Sequence, residues 1–147
     1  MTMKLSSRTR YGMRAMLELA QEYGKKPLQI KSIADREDIS NKYLEQLVAM
    51  LKSAGLVRSV RGPRGGYMLA RPPAEIKLSE IFTTLEGPLV PVECLEHTEF
   101  CPKCSDCATR QIWQELYRAL MSVLDTTTLK QLSERSNKLM QGEQYQI

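Results

Sequence analysis

The stretch CLEHTEFCPKCSDC, residues 94–107, holds all four cysteines and the single histidine of a 147-residue chain. Thiolates are soft metal donors and imidazole suits the same transition metals, and thiolates are also the reactive form in redox exchange, so Cys94, Cys101, Cys104, Cys107 and His97 mark where chemistry would occur. The gaps between the cysteines are six, two and two residues. Structural zinc is usually held by two C-x2-C pairs set about a dozen or more residues apart, each presenting its thiolates independently. Here the pairs overlap in Cys101, Cys104 and Cys107, a spacing found where a compact loop wraps an iron-sulfur cluster. Zinc and a thiol-based redox switch are the other chemistries open to these residues. His97 is a further candidate ligand, because imidazole replaces thiolate in some two-iron centres. Glu93, Glu96, Glu99 and Asp106 surround the sulfurs. Carboxylates favour a bound cation but do not lower a thiol pKa, which weighs against a reactive free thiol.

The rest of the chain divides by charge. Residues 1–70 carry 13 Lys+Arg and 6 Asp+Glu, a balance of +7; residues 71–147 carry 8 and 11, a balance of −3; together they give the net +4. A basic front end suggests a nucleic-acid surface, since cations gain affinity by displacing counterions from phosphates.

Periodicity places the elements. Ser6 or Ser7 caps a first helix with Tyr11, Met13, Ala15, Met16, Leu17, Leu19 and Ala20 on a broad apolar face, ended by Gly24. Ile30, Ile33 and Ala34 mark a short second helix. Ser40 caps a third, SNKYLEQLVAMLKSAG, with Tyr43, Leu44, Leu47, Val48 and Leu51 inward and Gly55 as its stop. LVRSV then alternates, RGPRGG has turn character and YMLA reads as a return strand. Helix-turn-helix plus hairpin is a winged helix, with Arg58, Arg61 and Arg64 on or beside the wing tip. RPPAEIK is expected to be a linker, and LSEIFTTLEG a short helix. ATRQIWQELYRALMSVL places Ile112, Trp113, Leu116, Tyr117, Leu120, Val123 and Leu124 on a face too wide for one small neighbour. An identical helix is the simplest second partner, so a homodimer is expected. A last amphipathic helix is expected over residues 129–140, with GEQYQI as a frayed tail.

These readings predict a mainly α fold with a small β-hairpin wing: a winged helix-turn-helix plus a long dimerisation helix. The expected divisions are a DNA-binding domain over 1–71, linker and short helix over 72–87, a cysteine cluster-binding loop over 88–107, and the dimerisation and C-terminal helices over 108–147. On the recognition helix Ser40, Asn41, Lys42, Tyr43, Glu45 and Gln46 form the candidate DNA-facing set, joined by Arg58, Arg61 and Arg64 from the wing. Gln46 has the groups to read adenine, Glu45 to accept from cytosine, and Lys42 to sit on phosphate. Nothing suggests an enzyme: the lone histidine has no nucleophile pattern to complete, and GPRGG lies between strands where a phosphate loop would open a helix. The N-terminus MTMKLSSRTRYGMRAM lacks the apolar run of a secretory signal, and no window approaches the roughly 18 apolar residues of a membrane span. A cytoplasmic protein without membrane contact is expected.

KLSSRTRYGMRAMLELA, then ISNKYLEQLVAMLKSAGLVRSVRGPRGGYMLA, then a cysteine loop followed by TRQIWQEL, resembles the iron-sulfur cluster regulator (IscR-like) family of bacterial winged-helix transcription factors, over about residues 3–140. The resemblance implies a homodimer that binds a double-stranded DNA operator, regulates genes of iron-sulfur cluster assembly, and carries a cluster in the loop before its long helix. It implies two irons, with a four-iron cluster the alternative. Carried over residue by residue, the family's three ligand cysteines match Cys94, Cys101 and Cys107, and Glu45 matches a glutamate associated with choice between two operator classes. Two departures stand out. The first ligand gap is one residue longer here, and the family regulator's fourth ligand, a histidine, falls on Arg110, which stays protonated and cannot ligate. Another branch draws an aspartate from the N-terminal segment, where this chain has Ser7, Arg8 and Thr9. Cys104 is therefore the first candidate for the fourth position and His97 the second. The rival expectation is a cluster-free or zinc-containing winged-helix regulator that senses thiol redox state or a metabolite.

Overall fold

The computed structural model describes residues 4–92, 95 and 107–145, the last three as backbone alone. In chain order these form α1 (Ser7–Gln21), α2 (Ile30–Glu37), α3 (Asn41–Ser53), the strands β1 (Val57–Val60) and β2 (Gly66–Leu69), a 3-10 turn (Pro73–Glu75), α4 (Leu78–Glu86), α5 (Ala108–Thr126) and α6 (Leu129–Tyr145). The fold is mainly α with one small hairpin, a winged helix-turn-helix followed by a long helix, as the sequence pattern predicts.

Local chemistry sets the boundaries. Ser6 is the cap of α1, its hydroxyl accepting from the Thr9 N–H at 3.3 Å. Ser40 caps α3 in the same way, accepting from the Tyr43 N–H at 3.1 Å. Between α2 and α3 the chain reverses at Asp38, whose φ of 54° is left-handed, a conformation that a short polar side chain tolerates. The hairpin pairs Val57 with Leu69 through to Val60 with Gly66, so residues 61–65 form the wing tip. A third segment joins it: Leu28, just before α2, exchanges backbone hydrogen bonds with Tyr67 at 2.7 and 3.0 Å. Gly66 permits that contact, since a Cβ there would stand 2.4 Å from the Leu28 carbonyl oxygen.

One core serves both halves of the chain. Met16, Ile33, Leu44, Leu47, Leu51 and Leu56 of the winged helix are fully buried together with Ile76, Ile81, Leu85 and Leu129 from beyond it. Residues 72–77, expected as a linker, contain the 3-10 turn, with Pro73 at its first position where a missing N–H costs nothing. They are also tied to the α5–α6 junction: the Leu129 N–H donates to the Ile76 carbonyl at 2.8 Å and the Leu78 N–H to the Thr127 carbonyl at 3.0 Å. Helix α6, expected over 129–140, runs to Tyr145 and takes in residues 142–145 of the segment expected to fray, residues 146 and 147 lying outside the described residues; Gly142 costs about 1 kcal/mol of helix propensity but does not end the helix. Along α5 only Leu124 is buried, and Ile112, Trp113, Leu116 and Val123 stay exposed. Among the described residues no helix is long and apolar enough to cross a membrane.

Candidate nucleic-acid interface and cysteine loop

The spacing of α3 separates two faces. Leu44, Leu47, Val48 and Leu51 point into the core, while Asn41, Lys42, Glu45 and Gln46 are exposed together at the start of the helix. Ser40 is exposed as well, with its hydroxyl engaged as the cap. These residues present an amide pair, a cation and a carboxylate, the set of groups that base edges and phosphates pair with. Arg61 and Arg64 stand exposed at the wing tip, and Arg58 is exposed on β1 with its guanidinium 3.4 Å from the Met68 sulfur across the hairpin. Gly65 makes the tip possible: a Cβ there would meet the Val60 carbonyl oxygen at 2.1 Å.

Tyr43 differs from its neighbours. It is half-buried, its ring meets Tyr11 edge-on at 6.3 Å between centroids, and its hydroxyl pairs with the Ser7 hydroxyl at 2.9 Å. The Arg14 guanidinium lies 5.4 Å from the centre of the Tyr11 ring, extending the stack to a cation. The first turn of α1 therefore braces the recognition helix.

That same turn is held from its other side. Glu86, the last residue of α4, accepts from the Ser6 N–H at 3.1 Å, from the Ser6 hydroxyl at 2.7 Å and from the Thr9 hydroxyl. Partial burial works against its charge, but the hydrogen bonds from Thr9 and Ser6 outweigh burial and hold the carboxyl below its ordinary pKa. Arg8 adds a hydrogen bond from Nε to the Leu85 carbonyl at 3.3 Å. Gly12 lets the two helices lie this close, since a Cβ there would stand 2.3 Å from Leu85 Cδ1. Ser6 was legible as a cap. Its partner was not, because the two lie eighty positions apart and nothing local to either points to the other.

Glu86 also marks the root of the cysteine segment. Cys94, Cys101, Cys104 and His97 lie outside the described residues. Cys107 is described: it is half-buried at the N-cap of α5, with its sulfur 3.1 Å from the Thr109 hydroxyl. That hydrogen bond, followed by one from the Arg110 N–H, holds the thiol below the ordinary cysteine range. Both donors come from the first turn of α5, while the acidic residues Glu93, Glu96, Glu99 and Asp106 lie outside the described residues. Arg110, at the position where the resemblance would place a histidine ligand, has its Nε buried without a hydrogen-bond partner among the described residues.

Comparison with known proteins fits this geometry. The family model Rrf2, described as an iron-dependent transcriptional regulator, matches residues 5–135. The HTH-type transcriptional regulator CymR of Bacillus subtilis is 44% identical over 142 residues, 97% of this chain and 95% of that one. The solved structure of that protein, the global cysteine regulator of B. subtilis, superposes with a TM-score of 0.79 at 42% identity, covering 91% of this chain and 98% of that one. Staphylococcus aureus CymR in an oxidized form gives a TM-score of 0.73 at 42% identity, covering 90% and 97%. IscR of T. potens gives 0.73 at 39% identity, covering 99% and 92%, so the IscR-like resemblance extends to structure. These relatives are transcriptional regulators and not enzymes, and the chain belongs to the Rrf2 family of transcriptional regulators.

Proposed function

We propose that the chain is a homodimeric regulator that binds a double-stranded operator through α3 and the wing, and that the state of its cysteine loop sets its hold on DNA. The tie between Glu86 and the first turn of α1 carries this proposal. Glu86 sits where the chain leaves α4 for the cysteine segment, and the turn it clamps is the one whose Ser7 holds Tyr43 of α3. A displacement at the loop's root therefore has a short, hydrogen-bonded route to the DNA-facing helix. A cofactor shifts such an equilibrium only as far as its affinity differs between the two arrangements. The exposed apolar residues of α5 support a second copy as the dimer partner.

The resident group we assign to the loop is an iron-sulfur cluster, with two irons favoured. Cys94, Cys101 and Cys107 would hold it, with Cys104 first candidate for the fourth position and His97 second. Cys107 fits the role, because its surroundings favour the thiolate that a soft metal requires. Bound there, the group would supply one-electron redox chemistry and thiolate-linked iron. The family description as iron-dependent and the likeness to T. potens IscR support it. A thiol-sensing reading is favoured by the same hydrogen bonds to the Cys107 sulfur, by the likeness to CymR of Bacillus subtilis, the global cysteine regulator, and by the likeness to Staphylococcus aureus CymR in its oxidized form.

Anaerobic purification with an absorption spectrum and counts of iron, sulfide and zinc separates the two. Stoichiometric iron and sulfide, lost together in Cys94→Ala, Cys101→Ala or Cys107→Ala protein along with the cluster-dependent change in DNA affinity, is the expected result. Colourless protein without iron, whose DNA affinity changes reversibly on thiol oxidation, overturns the cluster in favour of the thiol. Stoichiometric zinc with no sulfide overturns both, and a chelator should then unfold the loop.

A further inference from the structure

Where the start of α2 meets the wing there is a cavity of about 550 Å³, lined by Lys26, Gln29, Ser32 and Arg36 on one side and the wing-tip Arg64 on the other. Its cations come from three segments: the α1–α2 connection, α2 and the wing. No acidic side chain lines it. Arg36 is partly neutralised by Glu18 at 2.7 Å, which leaves Lys26 and Arg64 as the cations without an ion-pair partner among the described residues. Gln29 and Ser32 add neutral hydrogen-bonding groups between them.

We infer that this cavity seats one phosphate of the DNA backbone, gripped jointly by Lys26 and Arg64. The inference rests on the DNA-binding reading and adds to it a contact that neither the recognition helix nor the wing makes alone. Lys26, Arg36 and Arg64 are all exposed. Exposed cations hold a free anion weakly, because water and salt screen them. A phosphate delivered as part of a polymer already held by α3 is different: its effective concentration is high and its contact adds to the others. Continuity points the same way, since Arg64 belongs to the same tip as Arg61.

The join between the two walls gives the contact a purpose. Leu28 and Tyr67 exchange both backbone hydrogen bonds, so the connection bearing Lys26 is fixed to the strand that follows Arg64. A phosphate seated between them is fixed relative to α3 as well. It therefore sets the register in which Asn41, Lys42, Glu45 and Gln46 meet the bases, while carrying no sequence information itself.

The test is the slope of log affinity against log salt on a random-sequence duplex, where backbone contacts dominate. Lys26→Ala and Arg64→Ala should each flatten the slope, and the double variant should flatten it by about 0.9, one phosphate's worth. Lys25→Ala is the charge-matched control: its side chain is exposed and next in sequence but does not line the cavity, so its slope should stay near wild type. A wild-type slope in Lys26→Ala, an equal effect from Lys25→Ala, or a double variant that loses about two phosphates' worth would each overturn the shared seat. Repeating the titration with inorganic phosphate replacing chloride at equal ionic strength covers the remaining occupant. Phosphate that weakens the wild type more than Lys26→Ala is competing for the seat, as expected; phosphate that weakens both alike, with equal salt slopes for the two proteins, shows that the cavity holds no backbone phosphate, and the inference fails. If the wild-type protein shows no salt-dependent binding to any duplex, the DNA-binding reading itself falls.

Discussion

Helices α3 and α5 both carry apolar residues at helical spacing and place them differently. On α3 the inward set is complete: Leu44, Leu47, Val48 and Leu51 are each at most 1% exposed. On α5, Ile112 is 54% exposed, Leu116 44% and Val123 63%, and only Leu124 is buried. The two helices teach different things about what a single chain needs. Helix α3 buries its apolar side in the core of its own chain and leaves a polar face free. Helix α5 starts at a cysteine and leaves its apolar surface unsatisfied, as expected of an element completed by a second copy.

Core substitution should break this comparison most visibly. Leu47→Ala is expected to cost about 2–5 kcal/mol by denaturant unfolding, because it removes packed atoms and leaves a cavity. Leu116→Glu should leave the fold of each chain nearly untouched and instead shift the protein from dimer to monomer in sedimentation. A Leu116→Glu protein that stays dimeric would remove α5 as the interface. One that unfolds as Leu47→Ala does would mean α5 belongs to the core of its own chain.

The same contrast explains what was legible in sequence. Helices α1 and α3 announce themselves by period, by the caps Ser6 and Ser40, and by the stop at Gly55. The hairpin follows from alternation around RGPRGG. Those signals are local, and local signals also indicated the wide apolar face of α5. The unforeseen features are long-range. Residues 72–77 read as a linker because two prolines exclude α-helix, yet Ile76 is wholly buried against the C-terminal helices. Tyr43 reads as part of the groove-facing start of α3, and nothing in its own segment reveals Ser7 thirty-six positions earlier. The downward shift of the Cys107 thiol depends on donors from Thr109 and Arg110 at the start of α5, which cysteine spacing does not reveal.

Glu86 allows a test of smaller size. Replacing it with Gln keeps the shape but removes the charge that the Ser6 and Thr9 donors stabilise, and the expected loss is on the order of 1 kcal/mol at neutral pH. The sign with pH follows from the depressed carboxyl pKa. The contribution is present above the ordinary value of 4.5 and is lost as pH falls through the lower folded value, so wild type and Glu86→Gln should converge in acid. A stability gap that is constant from neutral pH to pH 3 would show that the charge of Glu86 is not what clamps α1.

The smallest expected effect on stability belongs to Tyr43→Phe, and it bears most directly on how the two regions communicate. The substitution removes only the hydroxyl that pairs with Ser7, while the ring can keep its edge-on contact with Tyr11. The pair is exposed, so the loss in stability should stay below about 1 kcal/mol. If the first turn of α1 braces α3 through this hydrogen bond, the variant should still bind DNA but respond less to the state of the cysteine loop, and Ser7→Ala should behave alike. Because both variants remove the same bond, the double variant should lose no more response than either single one. A Tyr43→Phe protein whose affinity for the same duplex shifts as fully as wild type between the two loop states would locate the route elsewhere, leaving the ring stack on Tyr11 as the contact that remains between α1 and Tyr43.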